Sequence, residues 1–213
     1  LSVTTVRRVR LKWMHPEQLK TLRPSLKLCA PNLVSLEVAS FPAPDMLIAD
    51  VLPLCTQLKC LSLSVSACRV DLQRLAFETL PRLPLRTLCF GFSDASPQAQ
   101  ECLSRVLVDL THFESVAQSH DSVDKILMNA LLCSSRCLRL LRFYFSRISM
   151  EVVEGVCGAL AKNPMLQDLV LKFETPEALG VFVDFLRSGT CCLRKLSVAL
   201  LGTFLEADFS RLW

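Results

Sequence analysis

The sequence predicts an α/β solenoid of about eight coils, with a curved parallel sheet on its concave side and helices on its convex side. Three observations carry this. A short apolar signature, written apolar-x-x-apolar-x-apolar, recurs along the 213 residues. Its copies are evenly spaced. Helix-like segments lie between them, so each unit needs neighbours of its own kind to bury its apolar face. The clearest unit opens with Leu138-x-x-Leu141-x-Phe143, runs through a helical stretch and closes on Leu166-x-x-Leu169-x-Leu171.

Upstream copies are Val6-x-x-Val9-x-Leu11, Leu33-x-x-Leu36-x-Val38, Leu58-x-x-Leu61-x-Leu63 and Leu85-x-x-Leu88-x-Phe90; a last one is Leu193-x-x-Leu196-x-Val198. First positions 6, 33, 58 and 85 are 27, 25 and 27 residues apart, and 138, 166 and 193 are 28 and 27 apart. The 53 residues from 85 to 138 span two such steps. A degraded copy is expected there at Phe113-x-x-Val116, with Gln118 at its third apolar position. If this register holds, Leu61→Asp and Leu169→Asp bury an unpaired charge and unfold the protein.

The intervening segments carry helix signals. Helices are expected over Glu17–Leu28, interrupted near Pro24; over Asp45–Leu54; and over Asp71–Leu80, stopped by Pro81. Ser96-Pro97 opens another, with Cys102, Val106 and Leu110 on one stripe. His120-Asp121-Ser122 opens one carrying Val123, Ile126, Leu127 and Leu131. Ser149 starts the central helix and Asn163-Pro164 ends it, while Thr175-Pro176-Glu177 starts the last, stopped at Gly189. Strand and helix alternate, which favours this architecture over an all-helical array.

The signature resembles the leucine-rich repeat superfamily over essentially the whole chain. Cys29-Ala30-Pro31-Asn32-Leu33-x-x-Leu36, and more loosely Cys55-Thr56-Gln57-Leu58, look like the cysteine-containing repeats of F-box-type ubiquitin-ligase receptors. The stretch Ile148 to Asn163 is closer to the ribonuclease-inhibitor and NLR-sensor type. The family often carries an Asn or Cys ladder just beyond the third apolar position; three residues beyond it this chain has Phe41, Ser66, Ser93, Ser146, Glu174 and Leu201. The resemblance implies a protein-recognition module, most specifically the substrate-recognition repeat domain of a ubiquitin-ligase receptor. The repeat domain of an NLR-like sensor or GTPase-regulator-type scaffold is the alternative. No F-box-like segment lies within the sequence, so adaptor contacts are expected outside it.

Composition fits one array over residues 1–213. Hydrophobic residues make up 51%, and mean hydropathy is +0.39. No run of about 18 uninterrupted apolar residues suggests a membrane span. The chain opens on Leu1 without a basic-then-apolar signal and has no polar capping repeat, so a piece of a longer protein is expected. Eleven cysteines form no C-x-x-C pair. Cys133-x-x-x-Cys137 and Cys191-Cys192 come nearest to ligand spacing, without a paired His. Free thiols packed as small apolar groups are the better reading, which implies a reducing compartment, cytoplasm or nucleus.

Signals for catalysis are missing. His15, His112 and His120 fall in different repeats, with no nucleophile arrangement around them. The six glycines build no phosphate-cradling loop, and Glu151 with Glu154 reads as a solvated helix face. No enzyme activity, metal or cofactor is expected.

Charge is the remaining signal. Alternation sends positions four and six of each signature into the core and two, three, five and seven to the concave face. Those positions hold eleven basic residues: Arg7, Arg8, Arg10, Lys12, Lys59, Arg86, Arg139, Arg142, Lys172, Arg194 and Lys195. Only Glu37, Glu114 and Asp168 are acidic there. The face thus carries +8 while the whole chain carries +4. Such a strip suits an acidic protein surface or peptide, with these residues and Tyr144 as the expected partner-binding set. Nucleic acid ranks below protein because Tyr144 alone offers a stacking ring. The plainer reading is that these cations keep a crowded sheet soluble and its edge unpaired. Reversing Arg139 and Arg142 to Glu is expected to abolish binding and spare the melting temperature.

Overall fold

The computed structural model describes residues 5–12, 15–39, 47–64, 70–91, 97–115, 137–189, 191–200 and 203–208. Eight strands run parallel in one open sheet, and their spatial order is their chain order. They are β1 (Arg8–Lys12), β2 (Ser35–Ala39), β3 (Cys60–Ser64), β4 (Thr87–Gly91), β5 (His112–Ser115), β6 (Leu140–Ile148), β7 (Asp168–Phe173) and β8 (Lys195–Leu200). This is the strand progression that a solenoid requires, and it is compatible with a leucine-rich-repeat-like fold. A ninth strand, β9 (Thr203–Asp208), folds back antiparallel on β8, so the sheet ends in a hairpin instead of another parallel coil.

Register explains the period. Val9, Leu36, Leu61, Leu88, Phe113, Leu141, Leu169 and Leu196 stand opposite one another across the sheet. From Leu36 onward they are buried, as are the leucines three residues before them. Stacking these rows removes apolar surface from water at about 25 cal/mol per Å², which one coil alone could not achieve.

The fifth strand corrects the expected register. Phe113 pairs with Leu88 and Leu141, so it fills the fourth position of the signature and not the first. The first position belongs to Leu110, fully buried, and the third apolar position to Ser115. The concave residues of this strand are therefore His112 and Glu114. Val116 and Gln118 lie outside the described residues.

A backbone ladder runs along the strand starts. The carbonyl of Arg7 accepts the N–H groups of both Val34 and Ser35, and the same double bond repeats at Val34, Lys59, Arg86, Thr111, Arg139 and Gln167. Its distances are 2.8 to 3.2 Å. The ladder satisfies backbone groups where the chain turns into each strand. It is unbroken through Thr111, which independently fixes the fifth register.

Helices α1 (Pro16–Cys29), α2 (Val70–Thr79), α3 (Pro97–Leu107), α4 (Met150–Lys162) and α5 (Pro176–Arg187) form the second layer. α1 passes through Pro24 without interruption. Pro24 and Lys20 are both exposed, so the carbonyl that loses its intrahelical partner lies on the water side. His15 starts α1, its Nδ1 accepting from the Glu17 N–H at 3.5 Å while its own N–H donates to Gln18 Oε1 at 2.9 Å. His is an uncommon N-cap, so the sequence alone does not signal this capping box.

The helix expected over Asp45–Leu54 is instead a π-helical turn, Leu47–Val51, followed by a 3₁₀ turn, Leu52–Leu54. Proline recurs at the second residue of such 3₁₀ turns: Ala30-Pro31-Asn32, Leu52-Pro53-Leu54 and Leu80-Pro81-Arg82. The ring fixes φ for the tight turn that leads back toward the sheet. Ser96 and the helix expected after His120 lie outside the described residues.

In the second half, α4 and α5 fill the connections. Ser149 holds the N-cap position of α4, though its hydroxyl makes no capping bond. Thr175 Oγ1 accepts from the Ala178 N–H at 3.3 Å at the start of α5. Gly189, with φ of 69°, ends α5 in the left-handed conformation that a glycine adopts without penalty. Aromatic pairs tie helices to strands: Phe77 of α2 meets Phe90 of β4 edge-on at 5.7 Å, and Phe182 of α5 packs on Phe173 of β7 at 5.2 Å.

Candidate functional site

The basic positions do not form one continuous strip. They separate into rows with different electrostatic surroundings, and the row depends on where each residue meets its strand.

The middle of the sheet face carries internal pairs. Arg10 Nε of β1 donates to Glu37 Oε2 of β2 at 2.5 Å. Arg142 of β6 donates to Asp168 Oδ2 of β7 at 3.0 Å and lies 3.9 Å from Glu114 Oε2 of β5. It is thus held between two carboxylates, one on each side. All three predicted acidic residues of the face lie within 4 Å of an arginine of the same face, Glu114 and Asp168 sharing Arg142. Between these pairs the surface is small and uncharged, with Ser35, Cys60, Ser62, Thr87 and Cys89 half-buried.

The start of the strands differs. Position two holds Arg7, Val34, Lys59, Arg86, Thr111, Arg139, Gln167 and Arg194, the residues of the backbone ladder. None is acidic. The five cations are exposed, whereas Val34, Thr111 and Gln167 are half-buried. Arg86 reaches the carbonyl of Asp109 at 2.9 Å and its carboxylate at 3.9 Å, at the water surface. Arg7, Lys59, Arg139 and Arg194 form no ion pair with a described residue. An open groove of about 580 Å³ adjoins the first two, lined by Thr5, Arg7, Pro31, Asn32, Val34, Gln57 and Lys59. A smaller one of about 300 Å³ lies at the other end, lined by Gly189, Cys191, Cys192 and Arg194.

The remaining predicted positions are scattered. Arg8 and Lys12 are exposed on the edge strand β1, Lys195 is exposed at the start of β8, and Lys172 is half-buried near the end of β7. Tyr144 is displaced from its expected place. Between Arg142, opposite Val170, and Arg147, opposite Lys172, β6 carries three more residues than β7, so the strand bulges and Arg147 takes the seventh-position pairing. The side chain of Tyr144 lies outside the described residues.

The buried thiols are inert in character. Burial pushes Cys55 up to about 12 and Cys157 up to about 11, and it raises Cys29, Cys89 and Cys102 as well. For Cys89 the neighbouring Glu114 and Glu37 add to the rise. Cys29 and Cys55 donate to the Leu26 and Val51 carbonyls, each at 3.3 Å, one turn back. Such thiols stay protonated at neutral pH and pack as small apolar groups. His15 is spent as a helix cap, and His112 is bonded to Thr111 at 2.8 Å; His120 lies outside the described residues. No helix among the described residues is long and apolar enough to cross a membrane.

No protein-family model and no curated protein matches the chain. Among solved structures the chain is similar to leiomodin-1 actin-binding site 2, at 12% identity over 81% of this chain and 90% of that one, with a TM-score of 0.46.

Proposed function

We propose that the chain is a protein-interaction module of leucine-rich-repeat type whose sheet side receives an acidic protein surface or peptide. The observation that supports this is the sorting of charge: Glu37, Glu114 and Asp168 lie against Arg10 and Arg142, while the five exposed cations at the strand starts have no acid in their row. A sheet side bearing exposed cations steers and orients an acidic partner, and the two grooves at its strand starts are open rather than enclosed, unlike a small-cofactor site. Within that class, the cysteine-proline strand starts at Cys29 to Leu33 favour the substrate-recognition domain of a ubiquitin-ligase receptor. A second reading, the repeat domain of an NLR-like or GTPase-regulator-type scaffold, is favoured by the Ile148 to Asn163 unit, which leads from the end of β6 through α4.

Affinity purification of the full-length protein from reducing cell lysate, with mass spectrometry, tests the proposal. The wild type is compared with the double variant Lys59→Glu, Arg139→Glu, both exposed and outside any described ion pair. A partner lost in the variant, together with a cullin adaptor, is the expected result. Partners all retained and no ligase subunit would leave the cations as solubility features and remove the ligase reading.

A further inference from the structure

Five cations and two grooves fall on one line across the strand starts, and this arrangement has a direction and a length. The eight residues of that line are pinned by the backbone ladder, one per parallel strand. Neighbouring strands lie about 4.8 Å apart, so the line from Arg7 to Arg194 is about 34 Å long, the length of about ten residues of extended chain. Arg86, Arg139 and Arg194 stand on β4, β6 and β8, at alternate strands. Their backbones are therefore spaced by about 10 Å, which is about three residues of extended peptide. Arg7 and Lys59 repeat the two-strand interval at the other end.

From this we infer that the partner's recognised element is an extended acidic segment lying across the strands along their starts, with carboxylates about every third residue. The inference rests on the proposed acidic partner and specifies its shape and path. Charge complementarity selects the occupant, because the line contains cations and neutral residues and no acid. The larger groove, bordered by Arg7, Lys59, Asn32 and Gln57, takes one end of the segment; the smaller, at Arg194, takes the other. None of the eight side chains on the line is aromatic, so it lacks the stacking platforms by which single-stranded nucleic acid is held. Arg10 and Arg142 are not part of the path, being held by acids of their own sheet.

Fluorescence anisotropy with a labelled twelve-residue peptide, glutamate at every third position between glycine and serine, tests the path. Lys59→Glu with Arg139→Glu should weaken binding about tenfold or more, and Lys20→Glu with Arg105→Glu, on α1 and α3, should change it less than about twofold. Equal weakening by Lys12→Glu with Lys172→Glu, at the far end of the strands, would overturn the path but keep an acidic partner. A thymidine oligonucleotide of matched charge that binds more tightly than the peptide would overturn the occupant. Absence of peptide binding at low salt would remove both the path and the acidic partner.

Discussion

The strand starts and the middle of the sheet face are built from the same residue types, yet arginine does opposite work in them. In the middle, Arg142 is spent between Glu114 and Asp168, and Arg10 on Glu37. At the strand starts, Arg7, Arg139 and Arg194 project into water beside no acid of their own row. The first arrangement tightens neighbouring strands. The second lines up like charges one or two strands apart, which adds nothing to folding and makes sense as a surface kept for something else. A count of +8 for the face merges these two situations and hides the difference.

Both regions depend on the register of β5, so the sharpest way to break the comparison is there. Phe113 is fully buried between Leu88 and Leu141. Phe113→Ala should cost about 3–5 kcal/mol, by loss of transfer energy and by the cavity left behind. Denaturant titration measures it. A loss under about 1 kcal/mol would mean that Phe113 is not the core residue of this strand, and Glu114 could not then face Arg142.

The period of the array is readable because leucines at 25 to 28 residue steps fall at one buried position of successive coils. The fifth strand was misread for a local reason. Leu110-x-x-Phe113 keeps a 25-residue step from Leu85, the same step as Leu33 to Leu58, but its third apolar position is Ser115, and a search for three apolar residues slides past it. Helices with full-strength signals, α4 and α5, were legible. The Leu47–Val51 turn was not, since an apolar run before Pro53 reads as helix whether or not its length permits one. The ion pairs were least legible of all. Arg142 and Asp168 are 26 residues apart, and only the strand register makes them neighbours.

Core thiols offer a second test, of pH dependence. Cys55 keeps its proton to about 12 when folded, against an ordinary value of 9.0. Its contribution to stability is therefore complete below pH 9 and is lost as pH rises from there toward 12, because only the unfolded chain releases the proton in that window. Unfolding titrations at pH 8 and 10.5 should show a fall that Cys55→Ala flattens. An identical fall in the variant would assign the alkaline loss elsewhere. In iodoacetamide labelling followed by peptide mapping, exposed Cys137 and Cys192, beside the strand starts, should react well before Cys89 in the middle of the face.

Charge reversal separates the two regions directly. Arg142→Glu puts a third carboxylate beside Glu114 and Asp168 in a half-buried place and should cost about 2 kcal/mol. Arg139→Glu, three residues away and exposed, should leave the melting temperature within about 1 °C. The paired reversal of Arg139 and Arg142 should therefore lose stability through Arg142 alone. Equal effects of the two substitutions would erase the distinction between the regions.

The smallest effect is the most specific to the strand starts. Lys59 lies one strand from Arg86 and two from Arg7, at distances comparable to the Debye length of about 8 Å at physiological salt. Removing its charge relieves repulsion without breaking a described pair. Lys59→Gln should thus stabilise the fold by a few tenths of a kcal/mol in low salt, with the gain vanishing near 1 M, where screening acts within about 3 Å. Lys20→Gln, which breaks the 2.7 Å pair with Glu17, should show the opposite sign. A residue whose removal helps folding is retained for another reason, and loss of acidic-peptide binding in the same variant would identify that reason. If Lys59→Gln destabilised the fold at every salt concentration, the cation would be structural and the strand starts would not differ in kind from the middle of the face.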